Sequence, residues 1–118
     1  MINVHLMQLN EYMKQGMVYN NNTLAGIISK QDNGMYIFEY DDIYFVDSTK
    51  PAISLTLPKT TKKYTADFLF PFFFNLLSEG SNKKLQSIYL KIDEEDHFTF
   101  LLKTAAHETI GAIRVEEF

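Results

Sequence analysis

The side chains able to do chemistry in this sequence are few, and their spacing argues against catalysis. Three histidines, His5, His97 and His107, lie on three separate segments, and none has a second His or a carboxylate at a helical spacing that would form a convincing metal site. There is no cysteine, so thiolate nucleophiles, thiolate metal sites and disulfides are excluded together. No G-x-S-x-G elbow is present. The acidic run Asp93-Glu94-Glu95-Asp96 lacks the alternating oxygens, turn glycine and closing Glu of a calcium loop. It reads as the solvated start of a helix, where the dipole favours negative charge. Gly16, Gly26, Gly34, Gly80 and Gly111 stand singly, so neither a dinucleotide fingerprint nor a P-loop forms, and H-R-D and D-F-G are missing too. No cofactor, metal or catalytic residue is expected.

Two segments suit binding instead. The stretch from Lys59 to Thr65 carries Lys59, Lys62 and Lys63 around Tyr64. Tyrosine is enriched at binding hot spots because it buries a large area and keeps a polar tip. The second segment is Phe68-Leu69-Phe70-Pro71-Phe72-Phe73-Phe74-Asn75-Leu76-Leu77. On a helix, Phe70, Phe73, Phe74 and Leu77 form one stripe, and Leu69, Phe72 and Leu76 a second. A helix apolar on most sides is either a central core helix or one that shares a face with a partner. Both readings stand at this stage. Lys59, Lys62, Lys63, Tyr64, Phe70, Phe73 and Phe74 are therefore the candidate partner-binding residues.

These segments need a scaffold, and the composition supplies one. Of 118 residues, 46% are hydrophobic, with ten Phe and seven Tyr, enough for one domain with a true core. The net charge of −4 disfavours direct nucleic-acid binding, which draws on basic faces. No apolar run reaches the length of a membrane helix, and the first residues lack the features of a signal peptide. A cytoplasmic location is the expectation.

Residues 1–15 read as an N-terminal extension, either a short amphipathic helix through Leu6, Leu9 and Met13 or a segment ahead of a natural start at Met13. Residues 16–118 read as the domain. Strands are expected from Met17, from Leu24 and over Met35–Tyr40, with turns at Asn20–Thr23 and Asp32–Gly34. Residues 41–50 look irregular. Ile53-Ser54-Leu55-Thr56-Leu57 alternates with period two and predicts another strand, ended by Pro58. Helices are predicted from near Phe68 to near Gly80, over Asn82–Leu90, and from near Asp93 toward Ala106. A last strand, Ile110–Val115, gives an α+β fold: a small antiparallel sheet or barrel of about five strands with about three helices.

Four blocks in this order carry a family resemblance. They are Asn33-Gly34 with Phe38-Glu39-Tyr40; Lys50-Pro51-Ala52-Ile53-Ser54-Leu55-Thr56-Leu57-Pro58; Phe72-Phe73-Phe74-Asn75-Leu76-Leu77-Ser78-Glu79-Gly80; and Asp96–Leu102 followed by Ile110–Ile113. Together they resemble the start of HipA-family kinases over roughly Gly16 to Val115. Ser78 stands where the family often has Pro, and Phe74 where Asp is common. The resemblance implies the accessory N-terminal subdomain, without the catalytic core that follows it in a HipA kinase. It further implies a HipS-like antitoxin, which binds and inhibits a HipT/HipA-like Ser/Thr kinase. In such three-gene relatives a HipB-like helix-turn-helix protein is a further partner, and the family kinases phosphorylate aminoacyl-tRNA synthetases. A non-inhibitory subunit that completes a split kinase is the alternative the resemblance leaves open.

Overall fold

The computed structural model describes residues 14–77, 87–93, 95–106 and 112–118. In chain order these form β1 (Lys14–Asn20), β2 (Thr23–Lys30), β3 (Tyr36–Tyr40), α1 (Asp42–Val46), β4 (Lys63–Ala66), α2 (Pro71–Phe74), α3 (His97–Thr104) and β5 (Ile113–Glu117). Residues 87–90 are also helical. The strands make one antiparallel sheet in the order β4-β3-β2-β1-β5. The α+β architecture with five antiparallel strands matches the expectation from sequence.

Local chemistry explains the first three strands. β1 and β2 meet at a two-residue turn in which Asn21 adopts φ 55°, a left-handed conformation that Asn tolerates. Gly34, with φ 91°, closes the turn between β2 and β3. Gly26 of β2 marks a close approach between strands. A Cβ there would overlap the Glu39 carbonyl oxygen and come within 2.9 Å of the Phe38 ring.

One face of the sheet carries Val18, Ile28, Phe38 and Val115, all fully buried. Against it lie α2 and α3. Phe73 packs on Phe38 with ring centroids 5.6 Å apart, and Phe98 meets Tyr36 edge-on at 5.6 Å. Leu101 and Leu102 complete this layer. At about 25 cal/mol per Å² of apolar area, it is the main stabilising term of the domain.

Several elements depart from the expectation. Residues 53–57 are not a strand but a turn. Ile53 and Leu57 point inward while Leu55 is 99% exposed, so the period-two alternation that predicted a strand is not realised in burial. The Ser54 hydroxyl takes the Thr56 N–H at 3.2 Å, the kind of local bond that competes with strand pairing. The fourth strand is instead Lys63–Ala66, which overlaps the Lys59–Thr65 stretch, where no strand was expected. Residues 42–46 form a helix rather than an irregular stretch, because Asp41 caps it by accepting the Ile43 and Tyr44 N–H groups.

Helix α2 begins at Pro71, not Phe68, since proline suits the first helical position and Phe70 serves as the cap residue. It is helical only through Phe74, and residues 78–80 of the expected helix lie outside the described residues. So do 82–86 of the next one. The third helix starts at His97, because Asp96 rather than Asp93 is its N-cap; Asp93 accepts the Glu95 N–H in the preceding turn. The last strand runs Ile113–Glu117, later than Ile110–Val115, and positions 110 and 111 are outside the described residues. β1 takes in Lys14 and Gln15 of the 1–15 segment, whose first thirteen residues are likewise not described.

Candidate functional site

The structure separates the seven sequence-derived binding candidates into three groups. Lys59 is a latch within its own domain. Its ammonium donates to the Asp47 carbonyl at 2.7 Å and the Lys50 carbonyl at 2.8 Å, and stands 4.9 Å from the Tyr44 ring centroid. Lys62 pairs with Asp42 and, at 3.2 Å, with Glu39. The hydrogen bond to Asp42, then that to Glu39, raises its pKa above the usual lysine value. Tyr64 is half-buried against the core, and its hydroxyl donates to the Pro58 carbonyl at 2.5 Å. Lys63 lies exposed on β4, with no ion pair among the described residues.

The aromatic stripe is largely spent on the core. Phe70 and Phe73 are buried, so neither offers a face to a partner, contrary to the shared-stripe reading. Phe74 differs. It is 42% exposed and packs edge-on against His97 with centroids 4.8 Å apart. Its neighbour across the surface is Phe68, 66% exposed, which the helical stripes did not single out. Phe68 precedes Pro71 and sits outside the helix, where no core position receives it.

Phe68 and Phe74 line one groove of ≈ 600 Å³ between the β2–β3 turn, α2 and the start of α3. Leu69 and Pro71 add to its apolar wall, and Tyr36 and Lys30 close the side nearest the sheet. Its charged lining is mostly acidic: Asp67, Glu95 and Asp96 stand against Lys30, whose ammonium lies 5.4 Å from the Tyr36 ring centroid.

Asp96 has a structural duty at this rim. It accepts the Thr99 N–H at 3.2 Å and the Thr99 hydroxyl at 2.8 Å, so it caps α3. Burial works against its charged form, but these two bonds, with Lys14 and Lys30 nearby, prevail and hold its carboxyl below the ordinary value. Asp67 and Glu95 make no ion pair among the described residues.

A smaller, more polar cavity of ≈ 420 Å³ lies over the opposite sheet face, with Ile27, Ile37, Glu39 and Lys62 among its walls. No group of three or more His, Cys, Asp or Glu able to hold a metal occurs among the described residues. Nor is any helix among them long and apolar enough to cross a membrane.

With this geometry in place, comparison with known proteins is informative. A family model described as the HipA N-terminal domain matches residues 17–116. The chain belongs to the HipA N-terminal domain family. A solved structure, the N-terminal domain of HipA toxin, superposes with a TM-score of 0.68 at 26% identity, covering 89% of this chain and 92% of that one. An uncharacterized protein of Haemophilus influenzae (strain ATCC 51907 / DSM 11121 / KW20 / Rd) is 28% identical over 109 residues, or 92% of this chain and 97% of that protein. Membership in the HipA N-terminal domain family agrees with the four sequence blocks from which the resemblance was read.

Proposed function

We propose that this protein is a HipS-like antitoxin that binds a HipT/HipA-like Ser/Thr kinase and holds it inactive. The match of residues 17–116 to the HipA N-terminal domain carries the reading, because in the solved relative the corresponding domain is part of a toxin. The Haemophilus protein supports an independent existence for such a domain, since the matched region is 97% of it. A domain whose counterpart is built into a kinase has inherited a surface fitted to that kinase. Supplied as a separate chain, it can engage the same surface in trans, and it inhibits if it binds the inactive conformation more tightly than the active one.

The protein itself performs no phosphoryl transfer in this reading, in keeping with a sequence that has no phosphate-cradling motif. A HipB-like helix-turn-helix protein is the third member of the assembly. DNA contact falls to that protein, because a net charge of −4 gives this chain little attraction for phosphates.

The test is co-expression with a HipT/HipA-like kinase of the same genome, scored by growth rescue, co-purification and kinase activity of the purified complex. Rescue with an inactive complex supports the antitoxin. A stable complex that remains fully active means an accessory subunit instead, and no association rejects a kinase partner.

A further inference from the structure

We propose that the groove at Phe68 and Phe74 receives a segment of the partner kinase bearing an aliphatic or aromatic side chain with a lysine or arginine beside it. The proposal rests on the reading that the partner is a HipT/HipA-like kinase, and adds where the kinase docks and through what chemistry. Phe68 is 66% exposed and Phe74 42%, both in one concave surface. Large apolar side chains that the fold leaves unburied inside a concavity gain most when a partner covers them. The groove volume of ≈ 600 Å³ lies within the roughly 300–1,000 Å³ of sites that enclose most of a ligand's surface. It takes a bulky side chain together with part of its backbone.

The rim decides the charge of the occupant. Asp67, Glu95 and Asp96 face one lysine, Lys30. Asp96 is engaged in capping α3, which leaves Asp67 and Glu95 to meet an incoming cation. An acidic segment would bring like charges together; a basic one finds two carboxylates beside an apolar seat. A second copy of this chain is the poorer occupant, because each copy carries a net charge of −4.

Other exposed apolar positions lack this combination. Ile43, Val46 and Leu55 are exposed but line neither of the two cavities described. The cavity on the opposite sheet face has its lysine Lys62 already paired with Asp42 and Glu39.

The test measures binding of the full chain to a HipT/HipA-like kinase of the same genome, with folding of every variant checked by thermal melting. Phe68→Ala should weaken affinity by about tenfold or more. The double variant Asp67→Lys, Glu95→Lys should slow association at low salt, and the difference should shrink at high salt. A photoreactive phenylalanine at position 68 should crosslink to a kinase peptide with Lys or Arg next to an apolar residue. Wild-type binding retained by both sets of variants overturns the groove while leaving the kinase reading intact. A crosslink to a peptide without a basic residue overturns the stated chemistry. A homodimer that dissociates on Phe68→Ala makes a second copy the occupant and also overturns the proposal. Failure of the wild-type protein to bind the kinase overturns the underlying reading, and this inference with it.

Discussion

The hydroxyl of Tyr40, on β3, accepts the backbone N–H of Ile53 at 3.1 Å, and in turn donates to the carbonyl of Leu57. One buried side chain thereby satisfies two backbone groups of a segment that has no strand partner. This explains how residues 51–58 hold a fixed path while the Ser54–Leu57 turn presents Leu55 to solvent.

Tyr40→Phe should therefore destabilise the fold by about 1–3 kcal/mol, since both backbone groups lose their partner. Denaturant unfolding measures it. Burial raises the Tyr40 pKa above 10.0, against a smaller opposing effect of the Ile53 N–H. A raised pKa means that the stabilisation is complete below pH 10.0 and declines as pH climbs through the folded-state value. The stability difference between wild type and Tyr40→Phe should be constant at neutral pH and narrow in strong alkali.

Phe73 and Phe68 lie five positions apart and should behave oppositely. Phe73 is fully buried against Phe38, so Phe73→Ala should cost about 3–5 kcal/mol. Phe68→Ala should leave the unfolding midpoint within about 0.5 kcal/mol of wild type. Equal losses in the two variants would contradict this division between core and surface.

Lys59 should matter to stability rather than to kinase affinity. Lys59→Ala removes two carbonyl contacts and the cation above Tyr44, a loss of about 1–2 kcal/mol in unfolding experiments. Binding measured well below the melting temperature should be unchanged.

Asp96→Ala should destabilise α3 by about 0.5–2 kcal/mol at neutral pH through loss of the cap. Because the Asp96 carboxyl titrates below its ordinary 3.8, its contribution is present above that pH and disappears as pH falls through the lower folded-state value. Thermal melts of the two proteins should converge in acid and separate toward neutrality.

The hairpins of β1, β2 and β3 were legible because alternation, Asn21 and Gly34 all point to the same geometry. Ile53–Leu57 misled for a physical reason: its alternating sequence matches a strand, but a turn anchored by Tyr40 buries only Ile53 and Leu57, and the anchor lies thirteen positions away. Helix α1 was hidden because Tyr44, Phe45 and Val46 favour strands, and the Asp41 cap overrides that preference. Of the candidate site, Phe74 was foreseen. Phe68, Asp67 and Glu95 were not, because the groove gathers residues from the β2–β3 turn, the α2 entry and the α3 start. No local pattern encodes that meeting.

The strand order has a kinetic consequence. β1 pairs with β2 across a two-residue turn, yet it also pairs with β5, so that Val18 faces Val115. That second pairing closes a loop of roughly a hundred residues, and it gains nothing until most of the ordering entropy has been lost. The hairpins are therefore expected to condense early, with β5 locking on after the rate-limiting barrier. Val115→Ala should leave the refolding limb of a chevron plot nearly unchanged and raise the unfolding rate. On this expectation the seam contributes to the lifetime of the folded protein and not to its rate of formation.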